Sequence, residues 1–394
     1  MSTSRALMSI LVVFSVAVVA GCTQDAATAG NQSSGMTGTP GVDAYPNPIT
    51  GEDIPNPNPN RIGSWAELPE GREWGSTAGI DIDPTDGHVV GYERCASGSA
   101  GGPGVNCDTN SVDPIFKFDR NTGEVLQNFG AGVFVTPHGI HVDSVGNVWV
   151  TDFAANEEGT KGHQVHKFSP EGELLMSLGV AGQAGNDSEH LNQPNDVITA
   201  PDGSIFVADG HSGQGMTTRD EIEEGRDEGL TGRIIKFSPD GEYITEWGEI
   251  GTEHGQFRTP HALAFDSEGR LWVADRGNHR LEIYDQEGNY LDSRYLYGRI
   301  SDLFITDDQM VYAIDSESNQ MQHIGWRNGV RIGPVDQDWL TGFIPPWESD
   351  TRPQSGVAGE GVAVDADGNV YVAEGPASLE AAGSAFTKYE VEGM

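Results

Sequence analysis

Three positions of the chain carry metal-binding residue types in one register of an internal repeat. The copies read Thr136-Pro137-His138-Gly139-Ile140, Thr259-Pro260-His261-Ala262-Leu263 and Gly359-Glu360-Gly361-Val362. Two imidazoles and a carboxylate supply three ligands to a divalent ion and leave a fourth position for water or substrate, which is how a catalytic zinc is held. An ion in that place acidifies a water or polarises a substrate oxygen. The competing reading is a polar channel whose side chains are satisfied by water alone.

A second register ends the second strand of each repeat: Glu93, Asp152, Asp209, Asp275, Asp315 and Glu374. An acid at every copy is expected to serve the architecture. The next residue varies, and it is Arg94 in the first copy and Arg276 in the fourth. Two guanidinium forks on opposite sides of a ring could hold a carboxylate or stabilise an oxyanion near the metal; the alternative is a salt bridge from each to a neighbouring acid.

The elements that must position these groups follow from the repeat itself. A turn of the type Asp-x-x-Gly joins two apolar strands, as in Val142 to Asp152, and an outer strand of the type Ile-x-Lys-Phe follows, as in Ile115-Phe116-Lys117-Phe118 and Ile234-Ile235-Lys236-Phe237. Six such units start near Gly79, Gly139, Asp196, Ala262, Asp302 and Gly361. Short strands at this period predict an all-β, six-bladed β-propeller. In that fold the first strand of each blade lines the channel, so Ala78, His138, Asn195, His261, Ser301 and Glu360 share one height. The metal-binding types occupy alternate blades, about 120 degrees apart in a regular six-bladed ring. The pattern is that of NHL repeats. Two interruptions stand out: an insertion from Ser212 to Thr231 with a charged run at Arg219 to Glu228, and a Trp-rich excursion from Trp326 to Trp347 in the fifth unit.

The remaining sequence bounds the setting. Residues 1–21 carry Arg5 and then an apolar run from Ile10 to Ala20, which reads as a secretory signal and is too short for a spanning helix. The run ends Val19-Ala20-Gly21-Cys22, resembling the bacterial lipoprotein cleavage box with Cys22 as the lipid-modified residue. Thr23 in place of an aspartate favours an outer-membrane anchor, facing the periplasm or the exterior. Residues 22–60 are rich in Gly, Ser, Thr, Asn and Pro and read as a flexible tether, with the propeller at 61–394. Cys95 and Cys107 are candidates for a disulfide closing a Gly-rich loop in an exported protein. The net charge of −38 excludes nucleic acid as a partner and leaves membrane attachment to the acyl chains.

Several stretches resemble the peptidyl-α-hydroxyglycine α-amidating lyases: Pro137-His138-Gly139 to Asp152, His163 to Phe168, Gln193 to Val197, Ile244 to Gly248, Gly255-Gln256-Phe257 and Pro260-His261-Ala262 to Arg276. The resemblance implies a six-bladed propeller that splits a carbinolamide C–N bond into an amide and glyoxylate, with zinc on three histidines. It maps two of those histidines onto His138 and His261, and the two active-site arginines onto Arg94 and Arg276. The third histidine, in a Pro-His-Asp motif, meets Gly359-Glu360-Gly361, so the aspartate associated with the family's structural calcium is missing as well. The catalytic tyrosine, in an Asp-Gly-Tyr motif, meets Asp209-Gly210-His211, which casts His211 as the proton-transfer group.

The expected protein is therefore a lipid-anchored envelope enzyme, monomeric, with a divalent metal on His138, His261 and Glu360, zinc first and calcium second. It acts as a lyase or hydrolase on a small carbonyl or hydroxy-amide, peptide-like substrate, using Arg94, Arg276 and His211. Two rivals stand beside it. One is a non-enzymatic NHL scaffold that binds a protein or glycan through the insertion and Trp339 and Trp347. The other is a calcium-dependent lactonase of the gluconolactonase kind, which two histidines in the metal register disfavour.

Overall fold

Each repeat unit turns on an aspartate that folds the turn back on itself. Asp143 accepts from the backbone N–H of Val145 and Asn147 at 3.1 and 2.9 Å, and its other oxygen takes the indole N–H of Trp149 at 3.2 Å. Asp266 does the same with Glu268, Arg270 and Trp272, and Asp365 with Asp367, Asn369 and the Tyr371 hydroxyl. One side chain thus fixes the turn and locks an aromatic residue of the second strand, which is why the motif pairs Asp-x-x-Gly with a later Trp or Tyr.

These units form six four-stranded antiparallel sheets in a computed structural model that describes residues 46–70, 72–95, 106–348 and 356–392. The innermost strands are Ile80–Ile82, Pro137–Val142, Pro194–Thr199, Pro260–Phe265, Ile300–Ile305 and Gly361–Val364. Each packs against the innermost strand of the next blade, and the last against the first, so the sheets close into a ring around a channel. Apolar clusters fill the gaps between blades; one joins Trp65, Phe116, Phe118, Tyr371 and Phe386 across the first and sixth. The chain is a six-bladed, predominantly β propeller, as the repeat predicts.

Alternate blades are also braced by carboxylates. Asp81 of blade one accepts the backbone N–H of Val142 in blade two, Asp196 of blade three that of Leu263 in blade four, and Asp302 of blade five that of Val362 in blade six, each at 2.8 Å. The even blades carry the metal-binding register, so their inner strands are clamped by the odd ones. The acids that end each second strand are structural in the same sense. Asp152 accepts from the backbone N–H of Val135 and Thr136, and Asp275 from those of Arg258 and Thr259, which holds the residues leading into His138 and His261.

Two expectations are corrected. Residues 46–60 do not behave as the end of a tether: Arg331 donates to the carbonyls of Pro48 and Ile49, Phe343 to that of Pro55, and the Asn58 amide to those of Gly368 and Tyr389. The Pro48, Ile49 and Pro55 carbonyls satisfy donors of blade five and Asn58 donates to carbonyls of blade six, so the compact unit starts before residue 61. Strand Asn60–Ile62 then pairs with Phe386–Glu390 and completes the sixth sheet. The stretch from Trp326 to Trp347 is not an excursion either, for it holds the two outer strands of blade five, Gly329–Pro334 and Gly342–Ile344. Its sequence lacks the Lys-Phe signature of the third strands of blades one to three.

Cys95 and Cys107 form a disulfide with Cα atoms 4.9 Å apart. The signal segment, Cys22 and the tether up to residue 45 lie outside the described residues, as does the loop between the two cysteines from 96 to 105. Among the described residues no helix is long and apolar enough to cross a membrane.

Candidate metal centre

The channel register brings His138 and His261 together with ring centroids 4.8 Å apart. The third imidazole beside them is His211, and one nitrogen from each of His138, His211 and His261 lies within 4.8 Å of the others. Glu360 is not part of that group. It lines the same cavity, of about 120 Å³, together with Arg94, Thr136, His138, Phe153, His211, Gln214, Arg276 and Glu317. His211, expected as the proton carrier, thus sits with His138 and His261, and Glu360, expected as a ligand, lines the cavity beside them. The physical reason is local. His211 enters from the top of blade three because Gly210 adopts φ +121° and passes so close to the Thr231 carbonyl that a Cβ would stand 2.0 Å from its oxygen.

The hydrogen bonds of the imidazoles select their free nitrogens. Nδ1 of His138 lies 2.9 Å from the Asn195 carbonyl, and Nδ1 of His261 lies 2.5 Å from the Ser301 carbonyl, so in each ring Nδ1 must carry the proton. Nε2 is then the lone pair in both, and that of His261 is buried without a hydrogen-bond partner. A carbonyl orienting the remote nitrogen is the outer-shell arrangement of metal-bound histidine. Asn195 and Ser301 come from blades three and five of the same register, so the odd copies support the even ones.

Burial, with Arg94 second, drives His138 down to about 3. Burial and then the Arg276 guanidinium hold both His211 and His261 well below the usual imidazole range. All three are neutral and so competent as ligands near pH 7. Glu360 is pushed the other way, upward by burial against the opposing pull of Arg94 and Arg276. The cavity side of its blade is shaped for it: a Cβ on Gly375 would stand 2.9 Å from the Glu360 Cγ.

Both arginines line the cavity. Arg94 donates from Nε to the Pro137 carbonyl at 3.1 Å. Arg276 donates from Nη2 to Gln214 Oε1 at 2.6 Å and to His211 Nε2 at 2.8 Å, the lone pair that a metal ion would take over from it. Three lining residues were not singled out in the sequence. Phe153 stacks on His138 at 5.3 Å and meets His211 edge-on at 4.9 Å; it stands in the very register, after the second-strand acid, that identified the arginines. Glu317 follows the same register by one residue. Gln214 arrives from the insertion, where no repeat points to it.

The NHL repeat family matches residues 257–284. The chain is 31% identical over 336 residues to the peptidyl-glycine α-amidating monooxygenase B of Xenopus laevis, covering 77% of this chain and 33% of that protein. It is 27% identical over 322 residues to a probable peptidyl-α-hydroxyglycine α-amidating lyase of Caenorhabditis elegans, covering 77% and 81%. The chain is an NHL-repeat propeller homologous to the amidating lyases. It spans a third or less of the length of the vertebrate monooxygenases that it matches. In shape this propeller is similar to a gluconolactonase of Xanthomonas campestris, with a TM-score of 0.50, 15% identity and coverage of 81% and 87% of the two chains; that likeness speaks for the fold alone. Homology to the lyases places the propeller in a family that includes enzymes.

Proposed function

We propose that the chain is a metal-dependent C–N lyase acting on an N-acyl-α-hydroxyglycine or a similar hydroxy-amide, exported and held at the outer membrane through Cys22. The metal is on His138, His211 and His261. What carries this reading is the convergence of three neutral imidazoles, two of them with Nδ1 committed to carbonyls and one with an orphaned Nε2. Three nitrogens suit zinc, whereas calcium takes oxygen ligands, so this donor set speaks for a lyase over a calcium-dependent lactonase.

A bound zinc ion supplies Lewis acidity towards a substrate oxygen. Arg94 and Arg276 offer guanidinium donors to the substrate carboxylate. Glu360, the carboxylate facing the same cavity, accepts the proton of the substrate hydroxyl. As the C–O bond becomes a carbonyl and the C–N bond breaks, that proton passes to the departing amide nitrogen, which leaves an amide and an α-oxo acid. Phe153 and Thr136 wall the cavity and keep bulk water from the reacting carbon.

The test is metal content and turnover together. One zinc per chain is expected, lost in His138→Ala, His211→Ala and His261→Ala. Glu360→Gln should keep the zinc and lower turnover of an N-acyl-α-hydroxyglycine by about 100-fold or more, the scale of a lost general base. Zinc retained in His211→Ala but lost in Glu360→Gln would restore the carboxylate as third ligand and overturn the assignment.

A further inference from the structure

The insertion after blade three brings one neutral hydrogen-bond donor into the wall of the metal cavity. Gln214 stands three residues after His211, and the 3₁₀ turn Ser212–Gly215 presents both to the cavity, since side chains three apart eclipse in that geometry. The turn is pinned against the residues that lead into blade four. Gly213 passes so close to Arg258 that a Cβ would stand 2.1 Å from its carbonyl oxygen. Arg258 Nη2 donates to the Gln214 carbonyl at 3.3 Å, and Thr259 Oγ1 to the His211 carbonyl at 3.3 Å. Gln214 is therefore held by its backbone, and its side chain is half-buried.

The orientation of the Gln214 amide follows from its neighbour. A guanidinium only donates, so the atom 2.6 Å from Arg276 Nη2 is the oxygen, and the NH₂ group is left over. Nε2 has no hydrogen-bond partner among the described residues and is not sealed from solvent, so it faces the cavity that Gln214 lines. The same Nη2 of Arg276 bonds His211 Nε2 at 2.8 Å, which places the Gln214 amide beside a ligand nitrogen. The other polar groups of this wall, Thr136 apart, are arginines, carboxylates and imidazoles. Guanidiniums suit an anion. A neutral N–H suits a neutral carbonyl, because the pair forms without stripping water from an ion.

We propose that Gln214 reads the acyl group of the substrate, donating from Nε2 to the carbonyl oxygen of the amide that departs. The proposal rests on the lyase reading for which compound carries that carbonyl, and its own test needs no turnover. In an N-acyl-α-hydroxyglycine this oxygen lies two bonds from the nitrogen whose bond to carbon breaks. A donor there holds the reacting bond at the metal ligands. An N-alkyl hydroxyglycine has no such oxygen and leaves the donor unpaired, which is how a site built around a hydrogen bond rejects an analogue that lacks the partner. Gln214 is thus a specificity-determining residue for the substituent on nitrogen, and it reaches the cavity from a segment that lies outside the repeat.

Ligand-observed NMR titration of the protein in zinc-containing buffer, with acetamide and separately with glyoxylate, reads the two halves of the cavity. Acetamide should bind the wild type. Gln214→Met, which has neither donor nor acceptor, should weaken acetamide about fivefold, the worth of one hydrogen bond, and leave glyoxylate no weaker. Gln214→Glu keeps an oxygen for Arg276 and removes only the donor, and it should weaken acetamide at least as much. Zinc content stays at the wild-type value in both. Acetamide bound by Gln214→Glu as well as by the wild type would show that Nε2 does not read it. An equal loss of acetamide and glyoxylate in Gln214→Met would show a loosened site. Either result overturns the proposal, as does a wild type that binds no acetamide. The expected pattern in a protein that splits no N-acyl-α-hydroxyglycine would leave the subsite standing and sink the lyase reading.

Discussion

At the scale of single residues, the carboxylates of the channel make a pH-dependent claim. Burial first, and the Asp81 carboxylate after it, push Asp196 up to about 7, and Asp302 is raised by burial and by Asp196. The folded protein therefore holds protons that the unfolded chain releases near pH 4. The folded state binds more protons in between, so this contribution to stability is complete below about pH 4 and is lost as the pH rises towards 7. For Asp196 alone the loss is on the order of 4 kcal/mol across that window, at 1.36 kcal/mol per unit. The thermal unfolding midpoint should thus fall between pH 4 and pH 7, and Asp196→Asn should flatten the slope; parallel slopes for variant and wild type would rule this out. The site was only partly legible at this scale. His138, His261, Arg94 and Arg276 stand in repeat registers, and a register gives a height and a blade. It does not give reach: whether Glu360 or His211 completes the trio depends on how far a side chain extends from its blade, which spacing does not encode.

At the scale of elements, the insertion after blade three is the part of the site without a template. Its short 3₁₀ turn, Ser212–Gly215, carries Gln214 to Arg276, and the helix Arg219–Asp227 behind it starts from a capping box in which Thr218 and Glu221 exchange side-chain and backbone hydrogen bonds. Thr218→Ala removes that cap at a cost of about 1 kcal/mol. The expected result is faster amide exchange confined to residues 219–227, with the global unfolding midpoint moved by no more than a degree or two; protection unchanged across the helix would show that its contacts, such as Arg226 Nε to the Ile250 carbonyl at 2.6 Å, hold it unaided. The charged run at Arg219 to Glu228 was legible as an interruption of the repeat, and it holds this helix. Blade five was misread from the same kind of signal in reverse. Its outer strands lack the Lys-Phe signature; Gly329–Pro334 pairs with Met310–Asp315, and Gly342–Ile344 in turn with Gly329–Pro334.

At the scale of the whole molecule, six copies of one motif made the ring legible from the sequence, whereas its closure was not. Residues 46–62 have no repeat signature, and their place is decided by carbonyls that Arg331 of blade five requires and by blade-six carbonyls that take the Asn58 amide. Deleting residues 46–62 would strip the fourth strand from blade six and leave Arg331 without its partners at Pro48 and Ile49. A fall of more than 5 °C in the unfolding midpoint is expected, given that about 1 kcal/mol moves a domain of this size by roughly 2–4 °C; an unchanged midpoint would mean that the ring closes on three strands. The clasp also sets an order of events and a direction of load. Asn60–Ile62 pairs with Phe386–Glu390, so the circle cannot shut until that strand has emerged. Once shut, any tension arriving through Pro46 falls on the clasp first, which makes the strand that completes the circle also the one through which it would be pulled open.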